Sequence, residues 1–285
     1  LERIYSIFAK RIKSGSLIRF VKDDKNGFKI YNRVINEMNI PFTLSIATKL
    51  FNNTVNKLVD QLAIETQRSL KQIDELFSTF RTDSLVKRYQ LGDNTPLLND
   101  KFKTVYNLST LGSNVTQGYF DPYFEGCFNP TGLVKGWAIE EIFFNILQPV
   151  LKSEPQILDI SLNGGGDLQF GAQTDSSFFW KIGIENPVNL HQLVAIYRLQ
   201  NGAVATSGFS KRGHHIVSLN DHSLLQSTII ASSLTWADIW ATAALSAGKN
   251  KFNKLLQREE LTGLLVSKTE VIPFSKGRKA DAEKL

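Results

Sequence analysis

The chain has 285 residues, with 33 basic and 27 acidic side chains and a net charge of +6. Hydrophobic residues make up 42% and charged residues 21%, enough for a packed core and incompatible with wholesale disorder. At about 100–200 residues per domain, the length fits one large domain or two small ones. No uncharged apolar run reaches the about 18–20 residues that cross a bilayer. The longest, around Ile229–Gly248, is interrupted by Asp238.

The single cysteine, Cys127, excludes an internal disulfide and any zinc site built on two thiolates. It reads as a small core hydrophobe, with a nucleophile as the alternative. The only methionine is Met38, so Leu1 is not expected to be the native start, and a processed leader is compatible with the sequence. Residues 1–37 hold nine basic and four acidic residues, which is +5 of the total. An excess confined to one appendage and to Lys276-Gly-Arg-Lys279 is not the basic face of a nucleic-acid binder. Solvated surface charge is the expectation, with a polyanion-binding arm as the alternative.

In chain order, residues 1–37 suggest a short helix and then a hairpin. Ser16–Val21 and Phe28–Val34 alternate around a turn at Asp24–Gly27. Phe42–Ala47 is a further strand. A helix over about 54–80 carries Val55, Leu58, Val59, Leu62, Leu70, Ile73, Leu76, Phe77 and Phe80 on one stripe. Asp93–Asp100 breaks that pattern, and Phe102, Val105, Tyr106 and Leu108 suggest a second helix. The turn-rich stretch Gly118–Gly132 leads into a third at about 133–151. Strands are expected at Ile157–Leu162, Trp180–Ile184, Leu193–Leu199, Ala203–Thr206 and Ser227–Ser232. A last helix, about 236–247, is expected to stop at Gly248. Helices first, then a sheet with one late helix, indicate an α+β architecture.

Several segments have chemical potential. Asn163-Gly-Gly-Gly-Asp167 follows a strand and reads either as an anion-binding backbone or as an ordinary tight turn. It has neither dinucleotide-fingerprint nor Walker spacing. Thr206-Ser-Gly208 offers hydroxyls after a strand. Gly213-His-His-Ile216 offers one histidine to a site if extended, while His191 and His222 read as surface residues. On the late helix, Asp238 and Thr242 stand four apart and share a face. A carboxylate, a hydroxyl and backbone carbonyls suit magnesium rather than zinc; the alternative is Asp238 as a first-turn or capping acid. Lys135, near a glycine-flanked helix start, reads in isolation as a solvated lysine, with a phosphate contact as the alternative.

Together, Phe77–Ser84, Gly118–Pro122, Thr131–Gly136, Gly164–Asp167, Ala205–Gly208, Gly213–Ile216 and Ala237–Ala243 form a colinear set that resembles the ApbE family of FAD:protein FMN transferases. The resemblance covers about residues 38–268. It implies a single α+β domain with helices packed on a mostly antiparallel sheet. It also implies a Mg2+-dependent enzyme that moves the FMN moiety of FAD onto a threonine or serine of a target flavoprotein and releases AMP. By position, Asp238 and Thr242 would hold magnesium together with a carbonyl near Val134, and His215 would be the base, with Asp238 counted as catalytic. Met38, Phe120, Asp121, Lys135, Gly164, Gly165, Gly166, Asp167, Thr206, Ser207 and Gly208 match segments that shape the FAD pocket.

The family's target signature, Asp-Gly-x-Ser/Thr-Gly-Ala-Thr, is absent here, which implies that this chain is the modifier and the signature-bearing flavoprotein its partner. The chain departs from the family at four places. Asn129 stands for a common Asp, Met38-Asn-Ile-Pro-Phe42 for Met-Gly-Thr, and Ser218-Leu219 for the Asp–Pro after His–Ile, while Ile239 and Trp240 are bulky within the metal helix. Alternative outcomes are an FAD hydrolase giving FMN and AMP, or a weakened FAD-binding domain of a larger flavoprotein. The expected division is a basic appendage at 1–37, the flavin transferase domain at 38–272 and a flexible basic tail at 273–285. No signal segment or lipobox cysteine lies near residue 1, and the expected compartment is the cytoplasm, with an exported form as the alternative.

Overall fold

The computed structural model describes residues 18–20, 27–50, 52–208 and 224–280. Twelve strands and six helices appear in the order β1 (Ile18–Phe20), β2 (Lys29–Glu37), β3 (Ile40–Thr48), α1 (Asn53–Phe77), α2 (Leu85–Gln90), α3 (Asp100–Val115), α4 (Thr131–Ile142), α5 (Gln148–Ser153), β4 (Ile157–Gly164), β5 (Asp167–Ala172), β6 (Trp180–Glu185), β7 (Leu193–Leu199), β8 (Gly202–Gly208), β9 (Leu224–Ala231), α6 (Leu234–Arg258), β10 (Thr262–Ser267), β11 (Val271–Ser275) and β12 (Arg278–Lys279). Nine strands form one sheet in the order β12-β11-β10-β9-β8-β5-β4-β3-β2, and β1-β6-β7 form a second. All recorded pairings are antiparallel. The α+β expectation therefore holds.

The large sheet is covered on both faces, and alternation along its strands sorts side chains between the two cores. Ala203 and Ala205 of β8 and Leu265 of β10 join the helix-side core with Phe42, Leu44 and Ile46 of β3. Val204, Leu264 and Val266 face the small sheet, where they meet Phe178, Trp180, Ile182 and Tyr197. β5 follows the same rule: Leu168 and Phe170 face the small sheet, so Asp167 and Gln169 are left on the helix side. Between the sheets, buried Asp159 of β4 accepts a 2.7 Å hydrogen bond from the Trp180 indole of β6.

The first helix begins where Asn52 accepts from the Val55 amide at 2.9 Å. Its buried stripe is Val55, Val59, Leu62, Thr66, Leu70, Ile73 and Phe77. It ends at Phe77, short of the expected 80, because the chain turns extended at Ser78, and Phe80 is left 86% exposed. The expected helix over 133–151 is α4 and α5 joined through one π-helical turn, Phe143–Leu147.

Three expectations are corrected. Residues 18–20 and 29–37 do not form a hairpin: β1 pairs with β6, Ile18 opposite Ile184, while β2 pairs with β3 over nine positions. The hairpin closes instead at Met38 and Asn39, both at positive φ (52° and 59°), in a two-residue turn whose twist suits antiparallel strands. The boundary expected at 37/38 thus falls on this turn. Second, Gly248 interrupts α6 with φ 70° and ψ 169°, yet helix resumes beyond it to Arg258. Third, residues 273–280 are not all tail: β11 and β12 add two strands to the sheet edge. The short helix and the Asp24–Gly27 turn expected near the N-terminus lie almost wholly outside the described residues.

Burial holds the Asp159 carboxyl well above its ordinary 3.8, outweighing the Trp180 indole and the Ile160 and Gly171 amides, which favour the anion. A raised folded-state pKa contributes stability that is fully present below the unfolded value and lost as pH rises through the folded one. Asp159→Asn, which keeps the oxygen facing Trp180 and removes the titration, is expected to flatten the decline of Tm with pH above about pH 4. Thermal melts of both proteins across pH 4–9 check this, and parallel curves would refute it.

Candidate active site around helix α6

The N-terminus of α6 has three amides without intrahelical partners, and side chains from three elements meet them. Ser233, the N-cap, accepts from the Trp236 amide at 3.3 Å. Glu140 of α4 accepts from the Ser233 hydroxyl at 2.9 Å and from the Thr235 amide at 2.7 Å. Gln169 of β5 accepts from the Leu234 amide at 3.1 Å, while its own amide donates to the Gly202 and Ser232 carbonyls. Helix α6 is thereby fixed in register to the sheet beneath it and to the helix beside it.

That register seats Asp238, 1% exposed, directly over Gly136 of α4. A Cβ on Gly136 would lie 3.0 Å from the Asp238 Cβ and 3.1 Å from its Oδ2. One turn along, Thr242 places its hydroxyl 3.4 Å from that of Ser207 on β8. Asp238 is therefore no capping acid: the cap is Ser233, five residues earlier. The bulky Ile239 is accommodated because α3 presents Gly112, whose would-be Cβ is 3.0 Å from the Ile239 Cδ1. Trp240 packs against Phe252 beyond the kink.

A second buried cluster adjoins through β8. Asp167 forms an ion pair with Lys135 of α4, and its other carboxylate oxygen accepts from the Thr206 amide at 3.1 Å. The Thr206 and Thr228 hydroxyls are 2.9 Å apart. Lys135, only 9% exposed, is thus no solvated surface lysine. The structure brings together Lys135, Asp167, Thr206, Ser207, Asp238 and Thr242 from four separate segments, with Val134 one residue before Lys135 on α4.

Other expected site residues have different settings. Gly165 and Gly166, with φ 62° and 106°, form the two-residue turn between β4 and β5, and Asn163 accepts from the Gly166 amide at 3.1 Å. Gly164 pairs with Phe42, where any Cβ would fall 2.5 Å from the phenyl ring. The glycine run therefore builds a tight hairpin. Met38 sits in the β2–β3 turn and packs against the helix-side core. The Phe120 ring lies against Gly112 and Gly132, in the core. Asp121 is exposed and accepts from the Tyr123 amide. Gly208 ends β8, opposite Gln226. His215 lies outside the described residues.

Asn129, in place of the common Asp, accepts from the Thr131 amide and hydroxyl at the start of α4 and donates to Glu125. Sequence reasoning missed Glu140 and Gln169. Their only sequence signal is their spacing from Gly136 and Asp167, which becomes informative once α4 and β5 are known to flank α6.

The ApbE family model matches residues 128–265, the span from just before α4 to within β10. Among solved structures, the ApbE protein of Thermotoga maritima is 18% identical, with a TM-score of 0.72 over 86% of this chain and 97% of that one. The flavin transferase ApbE from Vibrio cholerae, 15% identical, gives 0.66 over 87% and 97%. The apo flavinyl transferase ApbE of Pseudomonas stutzeri, 18% identical, gives 0.67 over 89% and 96%. No curated protein matches the sequence.

Gly136→Ala is expected to force α4 and α6 apart at Asp238 and to destabilise the protein by about 1–3 kcal/mol. Denaturant unfolding of this variant beside Gly132→Ala, whose new methyl meets the edge of the Phe120 ring instead, tests the assignment. A Gly136→Ala variant as stable as the wild type would contradict the packing described.

Proposed function

We propose that this chain, which has the ApbE fold and matches the ApbE family model over residues 128–265, is an enzyme, a flavin transferase. In this reading FAD and Mg2+ bind near α6, and the FMN moiety passes to a threonine or serine hydroxyl of a target flavoprotein, with AMP released. The supporting observation is the convergence of buried Asp238, Ser207, Thr206 and the Lys135–Asp167 pair with half-buried Thr242 at one place.

The donor chemistry fits magnesium. Asp238 offers a carboxylate, Thr242 a hydroxyl and the α4 backbone near Val134 a carbonyl, all hard oxygen ligands. Gly136, lacking a side chain, lets the Asp238 carboxylate approach the α4 backbone closely. Among the described residues, no three His, Cys, Asp or Glu side chains gather as an alternative metal site. When bound, Mg2+ would offset the negative charge of the diphosphate and so ease departure of AMP.

The protein's own groups supply the remaining functions. Lys135 is held in place by Asp167, which also fixes the Thr206 backbone, so a cation and the β8 strand share one orientation. His215 accepts the proton of the incoming hydroxyl as its oxygen bonds to the FMN phosphorus. The bond from that phosphorus to the bridging oxygen breaks, and the oxygen leaves with AMP. Transfer of this kind needs positioning and charge neutralisation rather than a protein nucleophile.

The test is incubation with FAD and Mg2+, with and without a peptide bearing Asp-Gly-x-Thr-Gly-Ala-Thr, reading peptide mass and AMP. A peptide gaining one FMN with AMP released is the expected result. AMP with free FMN and no labelled peptide would instead identify a hydrolase, and intact FAD would remove the enzymatic reading. Asp238→Asn is expected to lower the rate at least about a hundredfold. His215→Ala should slow transfer by about 100-fold or more while FAD affinity holds; an unchanged rate would eliminate it as the base.

A further inference from the structure

Between α3, α4 and the start of α6 lies a cavity of about 240 Å³ that shares no residue with the Asp238 and Lys135–Asp167 clusters. Its walls include Trp137, Trp236 and Phe144, and Glu140 and Glu141 line it side by side. Two adjacent carboxylates alone would be an ordinary solvated helix face. Here they open into an aromatic-walled space, and none of the lining residues is basic.

Among the described residues neither carboxylate has a cation. Glu140 accepts there from neutral donors, the Ser233 hydroxyl and the Thr235 amide, and both act on the same oxygen, Oε2. Glu141 takes part in no ion pair recorded among the described residues. Two like charges at one mouth repel each other, and a bound cation relieves that repulsion. Indole and phenyl faces carry negative quadrupoles that attract an organic cation, whereas a small hydrated metal ion needs several oxygen ligands. The π-helical turn at Phe143–Leu147 sets Phe144 at the rim, 40% exposed. Such turns frequently mark functional sites.

We propose that this cavity binds an N–H-bearing organic cation, an alkylammonium or alkylguanidinium group on a short apolar stem. The head group sits against Glu140 and Glu141, and the stem lies along the Trp137 and Trp236 rings. The volume of about 240 Å³ admits a butyl-sized stem with its head group. The same group occurs on free alkylamines and on lysine side chains, and the experiment separates the two sources.

Butylammonium, butylguanidinium and the peptide Gly-Gly-Lys-Gly-Gly would be titrated into the full chain at constant ionic strength. Tryptophan fluorescence and calorimetry read binding, with butanol and KCl as controls. Saturable binding of the cations but not of butanol is expected. Tighter binding of the free amines assigns the site to small metabolite-like amines, and tighter binding of the peptide assigns it to a partner's lysine. Glu141→Gln is expected to weaken binding about threefold to tenfold. Phe144→Ala, at the exposed rim, is expected to weaken it similarly without disturbing the core. Absence of saturable binding, butanol binding as well as the cations, or unchanged affinity in both variants would overturn the proposal.

Discussion

The capture of the N-terminus of α6 is the constraint on which the site depends. A buried helix start carries backbone amides that the helix cannot satisfy, and leaving one without a partner costs about 1–3 kcal/mol. Ser233, Glu140 and Gln169 meet three of them, from the chain just before the helix, from α4 and from β5. Because the partners belong to different elements, satisfying the amides also fixes how α6 lies on the sheet. Asp238, four residues inside the helix, inherits its position from that arrangement.

Close approach of α6 to its neighbours then rests on missing side chains. Gly136 admits Asp238, and Gly112 admits Ile239, so α6 presses against α4 and α3 at distances that a methyl group would prevent. The Lys135–Asp167 pair performs the complementary task on the sheet side. An ion pair this buried adds little net stability against a well-packed apolar alternative, but removing either partner strands the other charge. Its value lies in orientation, since Asp167 holds Lys135 of α4 and the backbone of β8 at once.

β5 shows how one short strand serves two layers. Leu168 and Phe170 fill the core between the sheets, while Asp167 and Gln169 reach the helices and organise both polar clusters. Strand periodicity alone enforces this division. The alternation of β5 covers only Asp167–Phe170, directly behind a glycine run, and so short a signal is why the sequence reading passed over it.

The sequence by itself determined the α+β class, the stripe of α1, the strands from β6 to β9 and the Asp238/Thr242 spacing on one helix face. These are local properties, written in apolar periodicity and in the fixed 3.6-residue turn of a helix. Only the tertiary structure decided that β2 pairs with β3 and β1 with β6, because alternation states that a segment is a strand and not which strand it joins. Tertiary structure likewise decided that Lys135 is buried against Asp167, that the glycine run is a hairpin turn, and that Glu140 and Gln169 hold α6. Apart from the glycine turn, each of these depends on residues far apart in the chain, whose meeting is set by packing between layers rather than by any local pattern.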